Sequence, residues 1–430
     1  MKVKFYTLGC KVNQYETEAM REALAAQGFP PAGEDEPAGV VVVNSCTVTA
    51  QSDQKARQAL RRLKRQNPGA VAVLTGCWPQ AFPSQAADLE EADIVLGNAS
   101  RAALADRLRQ FLATGQRVVD VSPHKKGEAF EPLRVTGLHG HTRAFLKIED
   151  GCERFCAYCI IPFARGPVRS KPLGDLAAEV AGLAAAGYQE VVLTGINLPA
   201  YGQDLGLELC DAVEAACAIP GIRRVRLGSL EPERLTPPVI ARMRAQEKLC
   251  PQFHLSLQSG CDATLRRMNR HYTAAQYREI VDNLRKAFPG CAVTTDIMVG
   301  FPGETEEEFQ ASLAFAREIG FARTHVFAYS PRPGTVAGRA PDQVPAPVKD
   351  ARSRAMQAVA EESRRRFFQA MVGRTEPVLF ERPAGPGCYE GCTPNYTPVR
   401  ACCQRDLTGQ LLSVRLTGVD GEACTAEIVE

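Results

Sequence analysis

The sequence predicts an α/β protein in three parts, and three observations carry that prediction. Short apolar runs alternate with helical patterns over residues 1–113; the alternation resumes more regularly over 143–345; and 371–430 changes to short strands separated by Gly and Pro. A length of 430 residues, at roughly 150 per domain, allows about three domains and excludes a single small module. Hydrophobic residues at 45% and charged residues at 23% are globular proportions, and no run of about eighteen apolar residues is present to cross a bilayer. The start, Met1-Lys2-Val3-Lys4-Phe5-Tyr6, has no apolar core or small-residue cleavage site, so a cytoplasmic location without a membrane partner is expected. With 51 basic against 49 acidic residues the net charge is +2, so any nucleic-acid contact must come from a local patch.

In the first part, strands are expected at 3–7, 40–44, 70–75 and 93–96, and helices at 13–27, 50–66 and 101–112. This alternation implies a parallel sheet with helices on its faces. The first three strands each run into a cysteine, in Leu8-Gly9-Cys10, Asn44-Ser45-Cys46 and Thr75-Gly76-Cys77. Three thiols therefore sit beyond carboxyl ends of strands, the edge where open α/β sheets bind ligands. Buried free thiols at a shared structural station are the alternative. Residues 114–142 carry Gly, Pro and His with weak periodicity and read as a linker.

From 143 onward, strand-like runs fall at 144–148, 190–193, 224–227, 253–257, 292–299 and 324–327, separated by helical patterns such as 176–186, 207–217, 274–286 and 306–319. Six strand-helix units are fewer than the eight of a closed barrel and predict an open, partial barrel whose site lies at the carboxyl ends of its strands. Residues 346–370 form an Arg-rich connecting helix that includes Arg352, Arg354, Arg364, Arg365 and Arg366. Strands at 377–380, 397–401, 411–416 and 423–429 then predict a small antiparallel barrel or sandwich over 371–430.

Sixteen cysteines are too dilute for a disulfide scaffold, which points to metal or catalytic use for some of them. Gly151-Cys152-Glu153-Arg154-Phe155-Cys156-Ala157-Tyr158-Cys159 sets three in a C-x3-C-x2-C triplet directly after the first barrel strand. Three thiolates can hold three irons of a [4Fe-4S] cluster and leave the fourth open to a small molecule. Structural zinc would want a fourth ligand, and the preceding Glu149 and Asp150 are poor candidates for it. Gly300-Phe301-Pro302-Gly303-Glu304 follows a strand and opens a helix, but no Lys-Ser/Thr follows, which argues against a nucleotide-triphosphate loop. Its glycines could let backbone approach a cofactor, but taken alone the motif is better explained as an ordinary turn with a Thr305/Glu308 capping box.

The triplet on a six-unit barrel, with the flanking Ile160-Ile161-Pro162-Phe163-Ala164-Arg165-Gly166, resembles the radical S-adenosylmethionine enzymes. With Cys10, Cys46 and Cys77 upstream and a β-domain downstream, the whole chain resembles the methylthiotransferases among them. Further stretches agree: Leu193-Thr194-Gly195-Ile196-Asn197, Ser229-Leu230-Glu231-Pro232, His254-Leu255-Ser256-Leu257-Gln258-Ser259-Gly260, and Asp296 through Thr305. The resemblance implies two [4Fe-4S] clusters, one on Cys152, Cys156 and Cys159 that binds S-adenosylmethionine, and an auxiliary one on Cys10, Cys46 and Cys77. It places Thr194, Asn197, Ser229, Glu231, Gln258 and Asp296 near S-adenosylmethionine, although each also fits a satisfied strand-end polar group. The C-terminal domain resembles the family's RNA-binding (TRAM-like) module, marked by Gly391-Cys392-Thr393-Pro394-Asn395-Tyr396. Radical chemistry suits such an enzyme because a hydrogen on an aromatic carbon is neither acidic nor a leaving group.

The start Gly9-Cys10-Lys11-Val12-Asn13-Gln14-Tyr15-Glu16-Thr17 resembles the branch that modifies threonylcarbamoyladenosine at position 37 beside the tRNA anticodon. Sister branches, acting on isopentenyladenosine or a ribosomal-protein aspartate, usually show Asp-Ser-Glu where Tyr15-Glu16-Thr17 stands. The partners implied are the tRNA anticodon stem-loop, an electron-donor protein and a sulfur source. Lys55, Arg57, Arg61, Arg62, Lys64 and Arg65 could meet phosphates, or form a solvated helix face. From 371 on, acids outnumber arginines, so RNA recognition there is expected to rest on Tyr389, Tyr396 and backbone contacts, with the Arg-rich helix supplying charge. Cys388, Cys392, Cys402 and Cys403 are expected as free thiols, with zinc the alternative. The rival in class is a non-catalytic RNA-binding protein holding structural zinc.

Overall fold

Runs of β-branched residues set the first sheet. The structure, a computed structural model, describes residues 1–429. Strands β1 (Val3–Thr7), β2 (Val40–Ser45), β3 (Val71–Gly76), β4 (Ile94–Leu96) and β5 (Val118–Asp120) form one parallel sheet in sequence order. β2 and β3 are buried along their whole length, because helices cover both faces. Ala56, Leu60 and Leu63 of the helix Ala50–Gln66 pack on one face; Met20 and Leu24, with Leu104 and Leu108, pack on the other. β5 lies inside the stretch that reads as a linker: two adjacent valines are too short a run to show a strand period.

The central part comprises β6 (Ala144–Lys147), β7 (Glu149–Asp150), β8 (Arg169–Ser170), β9 (Glu190–Thr194), β10 (Arg224–Leu227), β11 (Ser229–Leu230), β12 (Gln252–Leu255), β13 (Ala292–Val299) and β14 (Arg323–Ala328). β6, β9 and β10 pair in parallel, as do β11, β12, β13 and β14. β10 and β11 are one strand interrupted at Gly228, so the two sheets continue each other as the expected six-unit partial barrel. Its outer helices bury Leu176, Val213, Tyr277 and Phe315 against the strands in one core. The Thr305/Glu308 capping box forms at the helix Glu306–Ile319. Glu304 folds back to accept from Gly300 N at 2.7 Å and is held by Arg352 at 2.8 Å. A Cβ on Gly300 would lie 2.2 Å from Lys349, so this turn is shaped by the connecting helix Ala346–Met371.

That helix leads into β15 (Thr375–Pro383), β16 (Cys388–Cys392), β17 (Pro398–Cys402), β18 (Leu411–Asp420) and β19 (Ala423–Ile428), which close a barrel in the order β15-β16-β17-β19-β18. Only the β17–β19 pair is parallel. β16 escapes the sequence pattern because its five residues include two cysteines and a glycine. Its presence corrects the reading of the tail cysteines as free thiols: Cys388 lies directly opposite Cys402 and the two form a disulfide. Cys392 and Cys403 remain thiols. No helix among the described residues is long and apolar enough to cross a membrane.

The marker turn of this barrel faces the central domain. Arg226 donates to Pro394 O at 2.9 Å and Arg224 to Cys392 O at 3.0 Å, while the Tyr396 ring lies under the guanidinium groups of Arg226 and Arg143. Tyr396 is therefore occupied in joining two domains, which differs from the expectation that it meets RNA.

Candidate active site

The C-x3-C-x2-C triplet lies in the loop between β7 and β8, directly after β7. Gly151 turns the chain at a φ of +105°, and a Cβ there would lie 2.0 Å from Pro167 O, so only glycine lets Cys152 follow the strand. Backbone bonds from Cys152 N to Gly166 O, 3.0 Å, and from Cys159 N to Cys156 O, 2.9 Å, shape the loop. Burial pushes the thiols of Cys152 and Cys159 up to about 12, so without a cation beside them both stay protonated.

Cys10 caps the helix Lys11–Ala26, Cys46 follows β2, and Cys77 opens the helix Cys77–Ala81 after β3. Two glycines allow these ends to converge. A Cβ on Gly9 would lie 3.0 Å from Cys46 Cβ, and one on Gly76 would lie 2.4 Å from Ser45 O. Burial, then the neighbouring Cys77 and Cys10 thiols, push Cys46 up to about 11. Among the described residues no three His, Cys, Asp or Glu side chains close on a point as a single metal ion requires. A [4Fe-4S] cube spreads three thiolates over a wider triangle than a single ion does.

Arg165 ties the two trios together. It lies six residues after Cys159, is fully buried, and its Nε donates to Cys77 Sγ at 3.2 Å. Its guanidinium also meets Glu16 at 2.5 Å and Asp150 at 3.4 Å. Glu16 takes further charges from Arg101 at 2.7 Å and Lys147 at 2.9 Å, and Lys147 meets Asp150 at 2.8 Å. Burial alone would raise Glu16; Arg101, Arg165 and Lys147 outweigh it and hold the carboxyl down at about 2. One ion network thus sets the first sheet's cysteine edge against the triplet loop.

Of the six side chains expected near S-adenosylmethionine, Thr194 ends β9 and Asn197 follows it, while Gln258 leaves β12 with a φ of +67°. Thr194 Oγ1, Asn197 Oδ1 and Gln258 Oε1 are buried and find no hydrogen-bond partner among the described residues. Asp296 bonds His254 at 3.2 Å, and His254 is the register partner of the exposed Ser229, so these three share one sheet face. Glu231 instead grips Arg270, at 3.1 and 2.5 Å, and Arg270 Nη1 reaches Cys156 Sγ at 3.4 Å. Glu149, Arg165 and Arg270 are the residues the sequence reading passes over. Glu149 is fully buried, its Oε2 accepts from Asn197 N at 2.7 Å, and its Oε1 has no partner among the described residues. Burial raises it well above the usual carboxylate range. Its place directly before the triplet was the one available signal.

A cavity of about 690 Å³ is lined by Cys10, Lys11, Arg143, Phe145, Glu381 and Tyr396, among others, and by none of the six side chains above. A smaller one, about 430 Å³, touches Cys152, Phe155 and Phe163.

A three-cysteine loop on a six-unit parallel barrel defines a radical S-adenosylmethionine enzyme, and the profile of the Radical SAM superfamily matches residues 146–316. The profile of the group described as Uncharacterized protein family UPF0004 matches residues 2–97. The chain is 36% identical to the threonylcarbamoyladenosine tRNA methylthiotransferase MtaB of Bacillus subtilis over 96% of this chain and 93% of that protein. It is 34% identical to the tRNA-2-methylthio-N(6)-dimethylallyladenosine synthase of Paraburkholderia phymatum, over 100% of this chain and 97% of that one. Among solved structures, the radical S-adenosylmethionine methyltransferase TsrM of Kitasatospora setae shares the fold, with a TM-score of 0.59 and 16% identity over 78% of this chain and 77% of that one. The chain belongs to the radical S-adenosylmethionine methylthiotransferase family. An iron–sulfur cluster and S-adenosylmethionine, the groups of that family, fit the residues present: thiols sit in the loop, and unpaired buried polar atoms lie at neighbouring strand ends.

Proposed function

We propose that the protein is a tRNA methylthiotransferase that adds a methylthio group to C2 of threonylcarbamoyladenosine at position 37, with two [4Fe-4S] clusters. The observation that carries the two-cluster reading is Arg165, which follows the Cys152/Cys156/Cys159 loop in the chain yet donates to Cys77 in the other trio. When bound, the clusters and S-adenosylmethionine supply one-electron chemistry that no acid or base could replace at an aromatic C–H. Cys152, Cys156 and Cys159 hold one cluster, and Cys10, Cys46 and Cys77 hold the other. Thr194, Asn197 and Gln258 bring their unpaired atoms to S-adenosylmethionine, with Ser229 and Asp296 on the same side of the sheet. Glu231 positions Arg270, which faces Cys156. The choice of threonylcarbamoyladenosine is supported by the Cys10 to Thr17 stretch; an electron-donor protein and a sulfur source complete the reaction.

The first test counts iron and sulfide per chain after anaerobic reconstitution, in the parent and in a Cys152/Cys156/Cys159→Ala triple variant. About eight irons falling to about four is expected. About four falling to none would end the two-cluster reading. Nucleoside mass spectrometry after incubation with tRNA carrying threonylcarbamoyladenosine should then show the methylthio product.

A further inference from the structure

The cavity beside Cys10 contains polar groups that the fold leaves unsatisfied. Lys11 follows Cys10 directly and is half-buried, with its ammonium 5.7 Å from the centre of the Phe145 ring. Among the described residues it forms no hydrogen bond or ion pair. Arg143 is 9% exposed and spends Nη2 on Glu381 at 3.0 Å and on Tyr396 OH at 3.2 Å. Its Nη1 has no hydrogen-bond partner among the described residues, where the nearest carboxylate oxygen, on Glu190, stands 3.8 Å away. Glu381 Oε1 is likewise buried and has no partner among the described residues. Lys11, Arg143, Phe145 and Glu381 all line the one cavity that also reaches Cys10.

Buried donors and acceptors without partners cost stability unless a ligand satisfies them. A pocket presenting two cationic donors, one carboxylate acceptor and an aromatic floor matches a small group carrying a carboxylate and a hydroxyl. We propose that Lys11 Nζ and Arg143 Nη1 hold the carboxylate of the threonylcarbamoyl group, that Glu381 Oε1 accepts from its hydroxyl, and that this subsite selects the substrate. The inference rests on the substrate reading above and adds the residues that enforce it. A dimethylallyl group offers none of these atoms, so it would leave the donors and the acceptor desolvated and unpaired, which is how a polar pocket rejects an apolar analogue. The subsite draws on three parts of the chain: the first helix, the start of the barrel, and β15.

The test is binding of the reconstituted full chain to a short anticodon stem-loop RNA, by fluorescence anisotropy at fixed salt. Three forms of the RNA are compared: threonylcarbamoyladenosine at position 37, its methyl ester, and unmodified adenosine. The parent should bind the free acid about tenfold tighter than the ester, the worth of one charge-assisted bond. In Lys11→Gln that ratio should fall to about twofold, and Lys11→Arg should restore most of it. Arg143→Gln gives a second reading, with iron and sulfide content and the melting temperature checked in each variant, since Arg143 also holds Glu381 and Tyr396. A Lys11→Gln protein that keeps the parent's ratio overturns the subsite while the substrate reading stands. A parent that shows no preference for the acid, and methylthiolates dimethylallyladenosine RNA instead, overturns both.

Discussion

Thr194, Asn197 and Gln258 have buried oxygens with no partner among the described residues, and this makes their role separable from folding. Replacing a side chain whose polar atom bonds nothing removes no native hydrogen bond. Thr194→Val, which keeps the shape, should leave the melting temperature unchanged or slightly raised. It should weaken S-adenosylmethionine binding by about tenfold, the value of a bond to a charged ligand. Equilibrium dialysis on the reconstituted protein, beside a thermal melt, checks both halves. An equal loss of stability and affinity would show that the hydroxyl serves the fold. Glu149 differs: one oxygen already accepts from Asn197 N, so its removal loosens the loop that carries Asn197 as well as the site.

At the scale of elements, short strands decide what long ones do not. The disulfide exists because β16 pairs with β17 in a register that sets Cys388 opposite Cys402. It closes a loop with a sequence separation of 14, for which chain entropy gives about 3 kcal/mol. Thiol titration of the oxidised, denatured apoprotein should find 14 free cysteines of the chain's 16. Reduction should raise the count to the full number and lower the melting temperature, whereas a full count before reduction would remove the bridge. The turn after β13 shows the same dependence on neighbours. Its glycines make room for Lys349 and for Asp342, the latter 2.4 Å from a Cβ on Gly303, and both belong to the chain beyond the barrel.

Over the whole molecule, buried charge joins the parts. Glu16 is fully buried among Arg101, Lys147 and Arg165, and removing it leaves those cations uncompensated. Glu16→Gln should cost about 3–5 kcal/mol, the usual penalty for breaking one side of a buried pair. Its carboxyl titrates at about 2 in the folded chain against an ordinary 4.5, so its contribution is complete above the ordinary value and is lost as pH falls towards the folded one. The difference between parent and variant in urea unfolding of the apoprotein should therefore shrink between pH 4.5 and 2. A constant difference would show that Glu16 acts by shape alone. A second joint, Arg332 to Asp53 at 2.6 Å, links the chain after β14 to the helix behind Cys46. A third is formed by Arg143, Arg224 and Arg226 around the marker turn. Of the six basic residues expected to meet phosphates, Arg61 is paired with Glu91 at 2.6 Å and Lys64 with Asp93 at 3.2 Å.

The sequence by itself determined the three-part architecture and the six-unit barrel, and it marked two cysteine trios as candidates, because each is written in local patterns. A buried parallel strand is an unbroken apolar run, as in Val40–Ser45, and a cluster loop is a fixed spacing of thiols. The strands β5 and β16 stayed hidden because two or three apolar residues carry no period. Only the tertiary structure decided which polar groups are spent and which are free. Tyr396 and Glu231 look like ligand-binding residues in the sequence, yet Arg226 and Arg270 occupy them. Arg165 looks like one more residue of a flanking motif, yet it bridges to Cys77 across the domains. Partners of buried ions lie far apart in sequence, as Arg143 and Glu381 do. Whether a buried polar atom is satisfied depends on those distant partners, which no local pattern records.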